Sequence, residues 1–450
     1  MRKGLKNLLN KYDSIEKRFN ITVDDRYSLL VRSNGNDKFA IQRWFHFKES
    51  FSIELLETVL LSRKIKPSSL TGILDPYCGV GTTLLSAQRL AKKHKLEDLN
   101  VVGIERNPFL HFVSKTKSNW RNYKPEMVAS AGESFLKKDF SYKDVSLPAL
   151  TTLHRADVMR ADVVKRALTM RNMIESDFAE SNELDALLLG YASIIEEISG
   201  VRKDGRALRI VEKNDKPTIR TALKKAWKNI ENDLSIGRDL FEPVKSKVLS
   251  GDGRRLKPDR GAIIDNGSFD LVFYSPPYLN NIDYTEVYKL ELWMCGFVES
   301  YEEFRDLRRN TLRSHPSIKF ADSISIADDK SMKKINGVLE ILGEALPDNS
   351  DLDWRTLLFR SYFDDMYISL KHQLAALSQN GWLFCIVGNS LHGSQSHPYS
   401  RTPVAADLLI ALIAESLGFK VKEIQICRYP KRRDPFTKFI RESIIVMQKA

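Results

Sequence analysis

Short apolar runs that end in glycine or proline loops alternate with amphipathic stretches along the chain. Three such runs end at Leu74, Ile104 and Tyr274, and short apolar runs bounded by turn residues are typical of buried strands. A helical pattern begins at about Thr82, and another follows the acidic residue Glu105. Strand, glycine loop, helix and a strand with an acidic end form the first half of a nucleotide-binding α/β unit. The pattern therefore predicts an α/β fold with a mostly parallel sheet.

The alternation resumes in the C-terminal part of the chain. A helix at about Tyr362–Leu377 precedes the buried strand GWLFCIVGNS, and a helix at Val404–Leu417 precedes two closing strands, KVKEIQICRY and RESIIVMQ. Two stretches interrupt the pattern, the first helical and rich in charge, the second irregular. They predict two inserts in one core. The predicted units are an N-terminal accessory segment (1–43), three core segments (44–120, 245–296 and 353–450), a basic helical insert (121–244) and a second insert (297–352).

The charge balance and the cysteines narrow the class of protein. The chain of 450 residues carries a formal net charge of +12, which favours a polyanionic partner. Its four cysteines are far apart and form no CxxC pair, so neither a zinc ribbon nor a disulfide framework is indicated. We expect the free thiols of a reducing cytosol. The histidines show no HxxxH or HExxH spacing, and no metal site is predicted.

No segment of the sequence is typical of a membrane protein. No apolar run approaches the roughly 18 residues of a membrane-spanning helix. Met1–Lys17 is charged throughout and lacks the apolar centre of a signal peptide. We therefore expect a cytoplasmic protein with no membrane partner.

The glycine loop DPYCGVGTT (75–83) follows a strand and opens a helix, as a nucleotide-binding loop does. It departs from the dinucleotide fingerprint, because Leu84 stands where a third glycine is expected, and it lacks the Gly-Lys-Ser/Thr of a phosphate loop. Such a loop suits a ligand with a nucleoside but no pyrophosphate, and S-adenosylmethionine is such a ligand. Glu105 could accept hydrogen bonds from both ribose hydroxyls, and Asp252, after a third strand, from the adenine amino group.

Ser-Pro-Pro-Tyr (275–278) follows the strand that ends at Tyr274. Proline cannot donate to a sheet ladder, so these residues predict a rigid loop at the C-terminal end of that strand, the edge at which open α/β sheets bind ligands. The glycine loop followed by this loop resembles the amino-methyltransferase branch of the S-adenosylmethionine-dependent DNA methyltransferases. The resemblance covers the three core segments and not the inserts.

The resemblance implies a Rossmann-like class I methyltransferase with a mostly parallel sheet, an antiparallel closing strand and two inserts. It implies S-adenosylmethionine as the methyl donor, double-stranded DNA as the substrate, and a cognate restriction endonuclease as a partner. WFHFKESFS (44–52) is similar to the segment that lines the methionine end of the donor in that family. The implied donor-binding residues are Lys48, Ser50, Phe51, Asp75, Pro76, Cys78, Gly79, Gly81, Thr82, Thr83, Glu105, Arg106 and Asp252.

In that family the Ser-Pro-Pro-Tyr loop holds the exocyclic amine of a base flipped out of the duplex. The serine version resembles enzymes that modify cytosine at N4, whereas Asp and Asn versions are commoner among N6-adenine enzymes. An exocyclic amine is a poor nucleophile, because its lone pair is delocalised into the ring, and acceptors aimed at its hydrogens favour a pyramidal nitrogen. Ser275 Oγ and the Pro276 carbonyl could supply these acceptors. Pro277 keeps the loop rigid, and Tyr278 could stack on the base.

Basic and polar side chains outside these loops are candidates for DNA contact. One group lies around a tight turn in the first insert, a second follows the Ser-Pro-Pro-Tyr loop, and a third lies in RYPKRRDPFTKFIR between the last two strands. Cationic side chains interleaved with aromatic ones suit contact with a nucleic acid. The candidates are Arg202, Lys203, Arg206, Arg209, Asn280, Asn281, Lys431, Arg432 and Arg433.

Three alternatives to N4-cytosine methylation of DNA stay open. The donor motifs precede the catalytic loop, the reverse of the order expected in many N4-cytosine enzymes, so N6-adenine methylation is the second choice. The other two alternatives are a tRNA or rRNA guanine-N2 methyltransferase and a catalytically silent DNA-binding protein on the same scaffold. C5-cytosine chemistry is disfavoured, because the Pro-Cys dipeptide that supplies its thiolate is absent. Either insert could read the target sequence.

Overall fold

We describe the protein from a computed structural model. The described residues are 2–142, 144–204, 207–260, 264–280, 282–317, 325–347, 352–393, 399–430 and 436–450. The α-helices in these ranges are α1 (Lys3–Glu16), α2 (Leu55–Ser62), α3 (Thr82–His94), α4 (Pro108–Ser118), α5 (Pro125–Leu136), α6 (Ala161–Asp177), α7 (Leu184–Ile198), α8 (Ile219–Leu240), α9 (Tyr284–Val287), α10 (Lys289–Met294), α11 (Tyr301–Arg309), α12 (Ser325–Asp328), α13 (Lys333–Glu344), α14 (Leu352–Ala376) and α15 (Ala406–Leu417). The strands are β1 (Ile21–Val23), β2 (Gly72–Asp75), β3 (Asn100–Glu105), β4 (Val201–Asp204), β5 (Ala207–Ile210), β6 (Lys245–Asp252), β7 (Lys257–Pro258), β8 (Phe269–Tyr274), β9 (Leu377–Gly388), β10 (Ser390–Gly393), β11 (Arg401–Val404), β12 (Phe419–Arg428) and β13 (Glu442–Lys449).

Nine strands of the described ranges form one sheet in the order β1-β12-β13-β9-β8-β2-β3-β6-β7. The pairs β1/β12, β9/β8, β8/β2, β2/β3 and β3/β6 are parallel. Strand β13 is antiparallel to both of its neighbours, β12 and β9, and β7 is antiparallel to β6. The predicted Rossmann-like α/β fold, with a mostly parallel sheet and an antiparallel closing strand, is therefore confirmed.

The central strands bury both faces, as their continuous apolar runs predict. In β8, Leu271 and Phe273 point into one apolar cluster, while Val272 and Tyr274 point into another. The first cluster includes residues of α2 and α3, and the second includes residues of α1, α13, α14 and α15. The sheet is thus covered by helices on both faces. The loops at the C-terminal ends of its parallel strands are the part of the sheet that can form a binding edge.

The first insert forms a helical layer beside the sheet. Helices α5–α8 pack with α4 and α10 around a third apolar cluster. Trp227 of α8 lies edge-on to Phe135 of α5, with 5.5 Å between the ring centroids, and donates from Nε1 to Leu187 O of α7 at 2.9 Å. The antiparallel hairpin β4–β5 follows α7. The insert is therefore mostly helical, as its pattern predicts, but Arg202 and Arg209 lie on paired strands.

The N-terminal residues pack on the core, which differs from the accessory segment that their polar composition suggests. Leu5, Leu8, Tyr12 and Ile15 are buried along one face of α1, which contacts α13. Strand β1 extends the sheet beyond β12. The apolar positions of α1 recur every three or four residues, and this spacing is the signal that composition alone hides.

The edge that carries the two predicted loops lies at the point where the chain order reverses. Strand β2 has β3 on one side and β8 on the other, so the loops that leave β2 and β8 diverge. Open α/β sheets bind their ligands in the crevice formed at such a point.

Candidate active site

A cavity of about 480 Å³ opens at the C-terminal ends of β2 and β8. The glycine loop lines one side of it, and the Ser-Pro-Pro-Tyr loop lines the other. The fold thus brings together two motifs that are far apart in the chain. The cavity wall contains the sequence-derived candidates Lys48, Ser50, Phe51, Asp75, Pro76, Cys78, Gly79, Thr82, Glu105, Arg106, Asp252, Ser275, Pro276, Pro277, Tyr278 and Asn280.

The glycine loop is held by its own backbone and by the neighbouring strand. Cys78 N donates to Ile104 O of β3 at 3.0 Å, and Gly81 N donates to Cys78 O at 2.8 Å. Gly81 has a φ of +82°, and a Cβ at this position would lie 2.6 Å from Ser114 Oγ. The turn onto α3 therefore requires glycine. Gly81 and Thr83 stand behind the cavity wall and shape the loop.

Asp75 ties the two ends of the glycine loop together. Its Oδ1 accepts a hydrogen bond from Tyr77 N at 2.9 Å, and its Oδ2 accepts one from the Thr83 hydroxyl. Burial raises the pKa of this carboxyl to about 7, because the charged form loses its hydration. Asp75 thus organises the loop as well as lining the cavity.

Glu105 ends β3 with its carboxyl in the cavity wall. Its Oε2 accepts from Gly79 N at 2.9 Å and its Oε1 from Asn107 N at 2.8 Å. Burial raises the pKa of this group to about 7. Each carboxylate oxygen has two lone pairs, so the group keeps acceptors for two hydroxyls of a ligand. The neighbouring Arg106 donates to Asp259 Oδ1 at 3.0 Å.

Asp252 is held by a network of ion pairs that reaches the second insert. Its Oδ1 accepts from Arg254 Nε at 2.9 Å, and its Oδ2 accepts from Arg254 Nη2 at 3.0 Å. Arg254 Nη1 also donates to Asp365 Oδ2 at 3.2 Å. Arg313 of the second insert donates to Asp365 Oδ1 at 2.7 Å. The predicted contact between Asp252 and an adenine amine therefore depends on the lone pairs that Arg254 leaves available.

The segment 44–52 forms a further side of the cavity. Phe47 stacks on Tyr288, with 5.2 Å between the ring centroids, and the Tyr288 hydroxyl donates to Glu49 Oε2 at 2.9 Å. Burial raises the pKa of Glu49. The Ser50 hydroxyl donates to Phe47 O at 3.0 Å, and Phe51 is buried. Glu49 joins this segment to the helices that follow the catalytic loop.

The Ser-Pro-Pro-Tyr loop is held by hydrogen bonds to β9 and β13. The Ser275 hydroxyl lies 3.1 Å from Ile386 O and 3.2 Å from the Tyr278 hydroxyl, and it can donate to either. The Tyr278 hydroxyl donates to Glu442 Oε1 at 2.9 Å, and Arg428 Nε donates to Glu442 Oε2 at 2.6 Å. Burial and the Glu442 carboxylate raise the pKa of Tyr278 well above its usual value, so its hydroxyl stays protonated.

The chain that leaves this loop is tied to the second insert by Asp283. Its Oδ1 accepts from Thr285 N and Glu286 N at 3.1 and 3.2 Å and so caps α9. Its Oδ2 accepts from Arg308 Nε at 2.7 Å and from the Ser317 hydroxyl at 3.0 Å. The Ser-Pro-Pro-Tyr loop is therefore supported at both ends by residues distant in sequence.

The structure argues against the DNA contact predicted for Lys203, which we correct. Lys203 is only 5 % exposed. Its Nζ pairs with the Glu291 carboxylate and lies 4.7 Å from the centroid of the Tyr288 ring. Lys48 donates to the backbone carbonyl of Lys203. A buried and paired ammonium cannot reach a phosphate, so Lys203 supports the site from within.

The other DNA-contact candidates divide into three groups. Arg202 and Arg209 are exposed and face each other across the β4–β5 hairpin. Asn280 lines the cavity, and its Oδ1 accepts from Ile282 N at 3.2 Å. Outside the described residues lie Arg206, Asn281, Lys431, Arg432 and Arg433.

In the part of the chain that the structure describes, no group of three or more His, Cys, Asp or Glu side chains is arranged to hold a metal ion. Nor does any helix in those ranges have the length and apolar character needed to span a membrane.

Several residues of the site do not belong to any local sequence motif. Arg254 and Asp365 are 111 positions apart, and Tyr278 and Glu442 are 164 positions apart. Such pairs become visible only when the strands are assembled. Glu49 is the exception, because it lies inside the segment 44–52 that the sequence already singles out.

The comparisons with known proteins agree with this geometry. The chain is similar to Type II methyltransferases. It is 24 % identical over 484 residues to Type II methyltransferase M.BsoBI of Geobacillus stearothermophilus, which covers 93 % of this chain and 86 % of that protein. It is 24 % identical over 446 residues to Type II methyltransferase M.AvaI, both of Nostoc sp. strain PCC 7120 and of Anabaena variabilis, which covers 92 % of this chain and 86 % of theirs. No protein-family model matches the chain. The similarity extends through the core and the inserts, and it supports a methyltransferase.

Proposed function

We propose that the chain is a site-specific DNA methyltransferase that acts beside a restriction endonuclease. It transfers a methyl group from S-adenosylmethionine to the exocyclic amine of a flipped base, with cytosine N4 as the preferred target and adenine N6 as the alternative. The observation that carries this proposal is the single cavity lined by both the glycine loop and the Ser-Pro-Pro-Tyr loop. The likeness to Type II methyltransferases supports it.

The residues on the glycine-loop side fit a nucleoside sulfonium donor. Glu105 presents a carboxyl whose partners are two backbone N–H groups, so it can still accept from vicinal hydroxyls. Gly79 has a φ of +52° and exposes backbone to the cavity. Lys48 and Ser50 would lie toward the amino-acid end and Asp252 toward the adenine. When bound, S-adenosylmethionine would supply an electrophilic methyl group on a positively charged sulfur.

The Ser-Pro-Pro-Tyr side would hold the target amine. When the Ser275 O–H donates to Ile386 O, the lone pairs of Oγ are available to accept from an amine N–H. The Pro276 carbonyl would accept from the second N–H, and the two prolines keep this pair of acceptors in place. Acceptors that are already oriented stabilise developing charge most effectively in a site that excludes water.

The Tyr278 ring would stack on the flipped base. The ring lies against the backbone of β9, since a Cβ at Gly388 would come within 2.8 Å of it. Its hydroxyl is anchored on Glu442. A ring held at both its face and its tip loses little further entropy on stacking, which helps to offset the few kcal/mol that unstacking a base costs.

The surface beside the cavity suits a DNA backbone. The exposed side chains Arg202 and Arg209 lie on a hairpin whose strand β5 contacts α9, just after the catalytic loop. The net charge of +12 provides a favourable long-range field. Arg202, Arg209 and Asn280 are the described residues that we propose as DNA contacts, and the two inserts as the parts that read the target sequence.

The test is mass spectrometry of nucleosides from the DNA of a cell without methylases of its own that expresses this protein. N4-methylcytosine is expected, and a Ser275→Ala variant expressed at the same level should yield almost none. N6-methyladenine in its place would overturn the cytosine assignment. Unmodified DNA together with methylation of RNA by the purified protein would overturn the DNA assignment, and absence of heat on titration with S-adenosylmethionine would favour a silent scaffold.

A further inference from the structure

Arg428 and Glu442 extend the polar wall of the cavity beyond the Ser-Pro-Pro-Tyr loop. Arg428 ends β12, Glu442 begins β13, and their side chains meet at 2.6 Å. Both line the main cavity and a second cavity of about 180 Å³ beside it, which Tyr278 also lines. The pair therefore stands where the two spaces meet, next to the ring proposed to stack on the base.

The guanidinium of Arg428 has N–H donors that are available to a ligand. Within the described residues, its side chain makes one hydrogen bond, from Nε to Glu442, so the N–H groups of both Nη atoms can donate elsewhere. The Arg428 side chain is 28 % exposed, whereas that of Glu442 is 8 % exposed. The two oxygens of Glu442 already accept from Tyr278 and Arg428. The guanidinium is therefore the more accessible polar group at this end of the wall.

The wall has an acceptor end and a donor end. Ser275 Oγ and the Pro276 carbonyl lie at the first. The Tyr278 hydroxyl, 3.2 Å from Ser275 Oγ, donates to Glu442, which accepts from Arg428 at the second. The edge of cytosine has the complementary order, because its N4 amine donates while N3 and O2 accept. A cytosine with its amine at Ser275 would bring these two acceptors toward Arg428.

We infer that Arg428 selects cytosine over adenine by donating hydrogen bonds to N3 and O2 of the flipped base. The inference rests on the proposed function and names its substrate. Adenine offers N1 as an acceptor but has a C2–H group where cytosine has O2, so one donor of the guanidinium would lose its partner. A missing contact of this kind between a side chain and a base edge reduces the rate or affinity roughly ten- to a hundredfold.

The test compares two enzymes on three target bases. Once sequencing of the modified DNA has located the target, duplexes are made that carry cytosine, adenine or a 2-aminopyridine C-nucleoside at that position. The last base keeps the amine and the ring nitrogen but lacks O2. We expect kcat/KM of the wild type to be at least tenfold lower on both substitutes. In Arg428→Met, kcat/KM on cytosine should fall to about the value on the 2-aminopyridine base, so that the preference for cytosine is lost.

Two further variants separate base reading from indirect effects. Arg428→Met/Glu442→Gln removes the charge that Arg428→Met leaves unpaired, and it should show the same loss of preference. Arg63→Met breaks a comparable ion pair with Glu423, also on β12, and should keep the preference of the wild type. Donor binding by calorimetry checks that each variant is folded.

The outcomes distinguish the inference from the function on which it rests. A wild type that methylates cytosine and the 2-aminopyridine base equally overturns the inference, whether or not the Arg428 variants fold. Undiminished discrimination in folded Arg428→Met does the same. In both cases cytosine methylation by the wild type would leave the proposed function standing, whereas methylation of adenine alone would overturn the cytosine assignment directly.

Discussion

The two sides of the cavity are built in different ways. On the donor side, Asp75 binds Tyr77 and Thr83, and Glu105 binds Asn107, so most contacts lie within a few residues of each other. On the target side, the loop 275–278 is held by residues of β9 and β13. One side is a local motif, and the other is an assembly of distant strands.

The two sides of the cavity should respond differently to substitutions. A local loop keeps its shape as long as its strand and helix exist, because few distant groups are needed to close it. The target side depends on the register of β13 against β9, in which Glu442 pairs with Gly388. Substitutions far from the Ser-Pro-Pro-Tyr loop should therefore alter catalysis, whereas donor binding should respond mainly to changes near the glycine loop and to loss of the ion pairs that hold Asp252.

The largest expected effect is that of Ser275→Ala on turnover. Loss of the Oγ acceptor should lower kcat roughly a hundredfold or more, by analogy with the removal of one oriented hydrogen-bonding group from an active site. Donor affinity should stay within about twofold of wild type, because Ser275 lies on the target side. Single-turnover methylation and donor calorimetry measure the two quantities. The exposed Ser235→Ala on α8 is the control, and equal kcat for both variants would contradict the role of Ser275.

The link between Asp252 on the donor side and the second insert is tested by Asp365→Asn. The side chain of Asp365 is 2 % exposed and pairs with both Arg254 and Arg313. Its neutralisation should lower the free energy of unfolding by about 3 kcal/mol and weaken donor binding through the loosened Asp252. Urea unfolding and calorimetry are the measurements.

Asp98→Asn is the matched control for this link. Asp98 pairs with Lys245, but the two side chains are 84 % and 73 % exposed, so their ion pair should contribute less than about 1 kcal/mol. A loss of stability in Asp365→Asn no larger than in Asp98→Asn would mean that the network does not hold the donor side to the second insert.

A smaller effect is expected for Tyr278→Phe. This variant keeps the ring but removes the bond to Glu442, so kcat should fall about tenfold while Tyr278→Ala falls further. The comparison separates stacking from the anchoring of the ring. If Tyr278→Phe has the activity of the wild type, the long-range anchor is dispensable. If Tyr278→Ala does too, the stacking role is wrong.

The smallest effect concerns Glu105 and pH. Its pKa of about 7 means that most of the carboxyl is protonated at pH 6 and ionised at pH 8. The ionised form accepts from both ribose hydroxyls, so donor affinity should rise by up to about tenfold between these values. In Glu105→Gln this rise should be reduced, while Glu242→Gln, whose half-exposed side chain lies outside the cavity lining, should keep it. Identical pH profiles of donor affinity for wild type and Glu105→Gln would exclude the contact.

Much of the core could be predicted from sequence, because it rests on local signals. The apolar runs ending at Leu74, Ile104 and Tyr274 became β2, β3 and β8, and the helix from Thr82 became α3. The amphipathic face of α1 was missed, since polar residues dominate its composition. Lys203 was assigned to DNA because its charge is visible in sequence, whereas its partners Glu291 and Tyr288 are distant and come close only in the fold.

The sequence by itself determined the strand–loop–helix order, the two motifs and their positions at strand ends, because glycine, proline and apolar periodicity act on the backbone nearby. Only the tertiary structure decided that both motifs share one cavity. It also decided that Asp365 pairs with Arg254 and that Arg428 and Glu442 complete the wall beside Tyr278. The physical reason is that these contacts depend on strand order and register, which bring together side chains that no local pattern relates.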